Sequence, residues 1–395
     1  MIKISQNIID DYIQSSKLKN FCSEHGMPVS ENKPDLLKKV IEYAGENEES
    51  DNYKETYKWF LDTIKAGSKE ICLKRVYISE EILENIDQII SKNYSKCLHQ
   101  DILSFKASDN FELVDYKIER NEHGCVSKLS FLFSRLVLEG DKEFETGNRV
   151  VFPLYIDFYI NNNFVIARYK PKTTIYVCSE NDIIYKENRF KPMDRAIDII
   201  EDLERLFEAE QMDIDPKQKF GKMMYKLYEK YSFTPISIQE KIDLMESKRN
   251  AFVDEVFSML GLDEKNKQKA KIDLDIFLEK YISVNGNMEK VFKEDRKAYL
   301  IKITSDDILQ MTRIDTASTG NRPLQCTDVF FDGKKSILNT KECRALHLCY
   351  NRRKGYLEPF TVQLSVLKGW GILKMYYVPE EEDIQNVLQT IFENY

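Results

Sequence analysis

What the chain lacks narrows it first. No stretch approaches the roughly eighteen uninterrupted apolar residues that a membrane span needs. The opening Met1-Ile2-Lys3-Ile4-Ser5-Gln6 has no apolar run of signal-peptide length, so a cytoplasmic location is expected. The eight cysteines contain no Cys-x-x-Cys pair, and a chain this long does not need disulfide staples, so reduced thiols are expected. There is no Gly-x-Ser-x-Gly elbow, phosphate-binding loop, His-Glu-x-x-His or complete nuclease signature, and no glycine fingerprint of a nucleotide-binding fold. No catalytic residue, metal ligand or cofactor is therefore assigned, and the reading leans away from an enzyme.

What is present is a chain of 395 residues, 42% hydrophobic, enough for two or three domains with sizeable cores. The net charge of -8 argues against a protein that coats nucleic acid over its whole surface, while allowing a local basic site. Lys, Asn, Ile and Tyr are abundant, a composition compatible with an AT-rich genome.

The stretch from Ser15 to Ala44 is the most informative. Ser15 or Ser16 can cap a short helix whose positions Leu18, Phe21, Cys22 and His25 recur at three- and four-residue spacing. Gly26 stops that helix and Pro28 prevents its resumption. A second helix can start at Asn32 as cap, with Pro34 in the first turn and Asp35 near the positive end of the dipole. Leu36, Leu37, Val40, Ile41 and Ala44 form its buried face. Two helices held apart by an extended loop are expected.

This run resembles the SAP motif, the helix-extended-loop-helix module of scaffold-attachment proteins. Gly26, Met27, Pro28, Lys33 and Leu36 fall at matching positions, Leu18 matches the anchor of the first helix, and Glu31 replaces the family's glycine. The resemblance implies DNA binding, with Lys17, Lys19, Lys33, Lys38 and Lys39 on the phosphates and RNA as the alternative strand. Five lysines against three acids between Lys17 and Lys39 imply weak, salt-sensitive contact with little sequence preference.

The rest divides by pattern. Residues 1–45 are the helical module, and the acidic run 46–52 reads as a linker. Residues 53–190 read as helices over Tyr53 to Gly67 and Ser79 to Leu103, followed by an antiparallel sheet in which Val150 to Ile160 and Phe164 to Val177 flank Asn161-Asn162-Asn163. Phe152, Leu154, Ile156, Phe158 and Ile160 should lie on a core. Residues 191–297 read as helical, including one helix over Ile238 to Leu260. Residues 298–395 read as antiparallel strands, among them Leu324 to Phe331, with a C-terminal helix. Segregated helices and sheet indicate an α+β class.

Four further features bear on function. Asp157, Arg168 and Lys170 invite comparison with a metal-dependent nuclease, but an arginine stands where a carboxylate would bind the cation, and a cross-strand Asp157–Arg168 ion pair is the simpler expectation. Asp194 to Asp215 holds nine acids and two arginines, a solvated face or a docking surface for a basic partner. Lys334 to Lys374 holds nine lysines and arginines against Glu342 and Glu358, interleaved with His347, Tyr350, Tyr356 and Trp370, which suits a nucleic-acid groove with Arg352, Arg353 and Lys354 at its tip. Cys343, His347 and Cys349 share a parity, with Cys326 as a fourth candidate ligand, but their spacing is not that of a common zinc site.

The leading expectation is a DNA-binding protein that recruits an α+β body to nucleic acid as part of a larger complex. By association alone, defence against foreign DNA or its maintenance would fit. The rival readings are an unrecognised metal-dependent nuclease and an adaptor whose N-terminal helices bind a protein partner.

Overall fold

In a computed structural model, all residues are described except 1, 31, 96, 98, 180, 287, 295, 308–311 and 353–354, together with the side chains of 306–307, 312–314 and 335. The chain begins with α1 (Gln6–Tyr12), α2 (Ser15–Glu24), α3 (Lys33–Ala44), α4 (Asp51–Lys65), β1 (Glu70–Tyr77), α5 (Glu80–Glu84) and α6 (Ile86–Asn93). It continues through β2 (Glu112–Arg120), β3 (Val126–Glu139), β4 (Asn148–Tyr159), β5 (Phe164–Tyr169), β6 (Ile175–Tyr176), α7 (Pro192–Leu206) and β7 (Glu210–Gln211). Helices α8 (Pro216–Ser232), α9 (Ile236–Asp243), α10 (Glu246–Leu260), α11 (Lys267–Asn285) and α12 (Glu289–Glu294) follow. The remainder is β8 (Ala298–Asp307), β9 (Thr312–Ala317), α13 (Asp328–Thr340), β10 (Ala345–Tyr350), β11 (Phe360–Leu367), β12 (Trp370–Tyr376) and α14 (Glu381–Asn394). The protein is α+β, with helices and antiparallel sheet.

Two compact units result, and the first is discontinuous: Met1–Lys217, Arg353–Phe360 and Leu367–Glu393. Its strands run in the order β2-β3-β4-β5-β1-β12, each antiparallel to its neighbours. One face buries Phe152, Leu154, Ile156 and Phe158 of β4 against Ala196, Ile200 and Leu203 of α7 and Ile86 and Ile90 of α6, as the alternation in β4 predicts. On the other face, Ile8 and Tyr12 of α1 pack with Ile64 of α4, Ile102, Leu132 and Val151. There the ring of Phe392 on α14 stacks on Phe164 of β5, 4.6 Å between centroids.

The second unit comprises Gln218–Arg352, Thr361–Val366 and Asn394–Tyr395. Its strand order is β11-β10-β8-β9, with β10 and β9 each antiparallel to β8. One of its clusters joins Ile238 and Ile242 of α9, Phe292 of α12 and Cys326.

Several elements differ from their sequence reading. Strand β1, between β5 and β12, falls in a gap between two expected helices; Ile71, Cys72 and Leu73 are all buried, so it has no alternation to read. The stretch Leu324 to Phe331, expected as a strand, is a 3-10 turn at Leu324–Cys326 leading into α13, because its apolar residues meet the core at helical spacing. The expected helix Ile238 to Leu260 is broken into α9 and α10 at Leu244 and Met245. Strand β9 begins at Thr312, and the earlier residues 309–311 of that expected strand lie outside the described residues.

The acidic run 46–52 is not a tether. Ser50 caps α4 by accepting from the Tyr53 amide, and Asp51 and Asn52 already belong to that helix. Phe60 of α4 shares a core with Leu18, Phe21, Leu36 and Val40 of α2 and α3, so the three helices pack as one. Helix α1, which the sequence reading left out, ties this group to the sheet: Asn7 donates to the Arg149 carbonyl at 3.0 Å, and Asp11 pairs with Lys172 at 2.6 Å. A chain beginning at residue 47 would expose Phe60, Ile64 and Ile102, at about 1.5–3 kcal/mol per buried apolar side chain. Its melting temperature, followed by circular dichroism, is expected to fall by about 10 °C or more; an unchanged melting temperature would show that these helices are dispensable for folding.

Candidate functional site

The α2–loop–α3 segment is fixed by its ends. Gly26 adopts φ 68°, the left-handed conformation that closes a helix. Asn32 caps α3 by accepting from the Asp35 amide at 3.0 Å, with Pro34 in the first turn. At the start of α2 the cap is Gln14, without a side-chain bond, and Ser15 is already helical, so neither expected serine cap forms.

The five lysines divide by what holds them. Lys17 is buried, with its ammonium 3.4 Å from Glu380, so it serves packing and is withdrawn from the phosphate-binding set. Lys33 donates to the Ile9 carbonyl at 2.9 Å and lies 3.9 Å from Asp10, which commits its head group to α1. Lys38 is exposed and only loosely paired with Glu42 at 3.7 Å, a contact too weak to hold it. Lys19 and Lys39 are half-exposed on α2 and α3. Glu31 lies outside the described residues.

The second basic stretch lies at the turn after β10. The Arg352 amide donates to the Tyr350 carbonyl at 3.0 Å, while Arg353 and Lys354 lie outside the described residues. Gly355 adopts φ 53°, and a Cβ placed there would collide with Asn20 Oδ1 on α2. Gly355 therefore lies against the Asn20 side chain of the helix that carries Lys19, and its positive φ suits glycine. Tyr356 follows with its ring partly open to solvent, and Leu357 is buried as an anchor. Asn20 and Gly355 were not among the expected site residues, because nothing local in the sequence relates positions so far apart.

On the sheet, β4 and β5 pair Tyr155 with Arg168 and Asp157 with Ile166, so Asp157 and Arg168 share a face but are offset. The turn is longer than two residues: a 3-10 turn over Ile160–Asn162 and then Asn163 at φ 56°. The expected ion pair is replaced by two separate ones. Arg168, fully buried, donates to Glu381 at the start of α14. Asp157 accepts from Ser130 Oγ at 2.6 Å and pairs with Lys128 at 3.3 Å. Burial alone would raise the Asp157 carboxyl, but Lys65, Lys128, Arg168 and the Ser130 bond outweigh it and hold it well below the usual carboxylate range.

The nuclease arrangement is dispersed, since the Lys170 ammonium turns to Asp11 of α1 at 3.1 Å. Beside Asp157 a cavity of about 280 Å³ is lined by Asp62, Lys65, Ser130 and Tyr155, among others. A permanently ionised carboxylate between cations holds charge but offers no proton donor near neutral pH.

The cysteine and histidine residues of the second unit do not converge. The β10–β8 register shifts between His347 and Leu348, which breaks the parity that aligned His347 with Cys349. Cys326 packs with Ile238, Ile242 and Phe292 instead. Burial pushes the Cys343 thiol up to about 12 and the Cys326 thiol to about 11, away from the thiolate that a metal would require. Among the described residues, no three His, Cys, Asp or Glu side chains form a group that could hold a metal ion.

His347 carries a testable consequence. Burial, reinforced by Lys302, lowers its ring to about 4. The unfolded chain takes up that proton near pH 6.5, so the contribution of His347 to stability is full above about pH 6.5 and is lost as pH falls toward about 4. After allowance for its partial exposure this amounts to about 2 kcal/mol. Thermal melts of His347→Gln at pH 7 and pH 4.5 are expected to show a smaller acid-induced loss than the wild type; an identical loss would show that the ring is not the titrating group. No family model matches the chain, and no curated protein does so either.

Proposed function

We propose that the protein binds nucleic acid, DNA in the first instance, through a surface formed by α2 and α3 beside Gly355 and Tyr356. The observation that carries this reading is the close approach of Gly355, which follows Arg352, Arg353 and Lys354 directly in sequence, to Asn20 of α2. The helix-extended-loop-helix geometry supports it, as does the exposed Lys38. Tyr356, 43% exposed, adds an aromatic ring of the kind on which unpaired bases stack. With Lys17 and Lys33 occupied elsewhere, the phosphate contacts fall to Lys19, Lys38 and Lys39, with Arg352, Arg353 and Lys354 contributing their charge. Few cations mean moderate affinity, steep salt dependence and little sequence preference. Such a protein would act in the cytoplasm as the nucleic-acid-binding part of a larger complex.

Fluorescence anisotropy with duplex DNA over a range of salt concentrations tests the assignment. The Lys19→Ala, Lys38→Ala double variant is expected to weaken binding similarly across sequences and to reduce the salt slope by up to about two, one for each lost phosphate contact. Lys17→Met is expected to lower thermal stability and leave the slope unchanged. Unchanged affinity and slope in the double variant would remove nucleic acid from this surface and leave the protein-adaptor reading. Cleavage of the DNA on addition of magnesium would favour the nuclease.

A further inference from the structure

The cavity beside Asp157 lies wholly within the first unit and holds charges that the fold leaves without partners. Its volume is about 280 Å³, between α4, the segment that follows α6, and strands β2, β3 and β4. Asp62 and Lys65 both line it, one turn apart on α4. Although opposite in charge, they do not pair with each other, and among the described residues neither side chain has a hydrogen-bonded or ion-paired partner. The Lys65 ammonium lies 5.8 Å from the centre of the Tyr155 ring instead. Asp157 lines the same cavity and is 1% exposed; its Oδ1 meets Ser130 and Lys128, while its Oδ2 has no donor among the described residues. A buried oxygen of this kind costs stability, and here it stands at the wall of a cavity that a donor can enter.

The rest of the lining narrows the ligand. Acids outnumber bases there by five to two, which repels a phosphate and favours a ligand that carries a positive group. Lys117 is paired with Glu119 at 3.3 Å, so Lys65 is the lining cation open to a ligand, and it calls for an acceptor close to that positive group. Leu61, Ile102 and Leu132 supply an apolar wall. The volume sits at the lower limit of the roughly 300–1,000 Å³ of small-molecule sites, so the ligand is small. We propose that the cavity binds a zwitterion, an α-amino acid with an aliphatic side chain: its ammonium donates to Asp62 and to Asp157 Oδ2, its carboxylate accepts from Lys65, and its side chain lies on Leu61, Ile102 and Leu132. The two charges of such a molecule flank one carbon, which suits an acceptor and a donor one helical turn apart. None of the α2 and α3 lysines lines the cavity, and neither does Tyr356, so this site is separate from the nucleic-acid surface.

Isothermal titration calorimetry of the full chain with L-leucine as probe is expected to show saturable binding. Isopentylamine, which is leucine without its carboxylate, and isocaproate, which is leucine without its ammonium, are each expected to bind about 10-fold more weakly, the loss of one charge-assisted hydrogen bond. Asp62→Asn and Lys65→Met alter side chains outside the buried face of α4, and are expected to keep the wild-type melting temperature and DNA affinity. Each should weaken leucine binding about 10-fold. In Lys65→Met the advantage of leucine over isopentylamine should disappear, and in Asp62→Asn its advantage over isocaproate should shrink, a pattern that lost packing would not produce. Should Lys65→Met fail to fold, Asp62→Asn with the same three compounds decides. Absence of leucine binding at millimolar concentration overturns the proposal, as does a folded variant that binds leucine like the wild type. Isopentylamine binding as tightly as leucine overturns it in favour of a simple cation site.

Discussion

A guanidinium that cannot lose its proton sits fully buried in the first unit, and much of that unit is arranged around keeping it neutralised. Arg168 lies on β5, flanked by β4 and β1, where water cannot solvate it. Its compensation comes from Glu381, which the following sequence delivers on the first turn of α14. The neighbouring Glu380 pairs with Lys17 of α2. One helical turn therefore anchors both the sheet and the N-terminal helices, and its acids, favourable near the positive end of the α14 dipole, serve two purposes at once. Removing either partner of a buried pair typically costs about 3–5 kcal/mol, because the remaining charge is left without compensation.

The same economy of charge explains why the basic character of the chain is less available than its lysine count suggests. Lys170 and Lys172 turn to Asp11, Lys128 to Asp157 and Lys334 to Glu279, so many cations are spent within the fold. On α3, by contrast, Lys38 is exposed and meets Glu42 only at 3.7 Å.

Legibility followed the range of the interactions. Helix α3 could be read from Asn32, Pro34 and Asp35, because capping is decided within four residues. The core face of β4 could be read because one side of the strand is apolar and the other carries Tyr155 and Asp157. Strand β1 could not, since a strand buried on both faces shows no period, and neither could α1, whose seven residues are held by Arg149, Lys170 and Lys172 from distant strands. The site was half legible for the same reason. The basic and aromatic stretches were visible as composition, whereas the burial of Lys17 against Glu380 and the seat of Gly355 on Asn20 depend on residues hundreds of positions away.

The interruption of the first unit bears on how the protein is made. Residues 1–217 leave the ribosome long before β12, the partner of β1, and before Glu381, the partner of Arg168. Until synthesis passes residue 393, one edge of β1 is open and a cation stands uncompensated on the sheet. The second unit, nearly all of it contained in residues 218–352, can complete its own core during that interval. Closure of β1 by β12 and compensation of Arg168 by Glu381 therefore both rest on segments that follow the second unit in sequence.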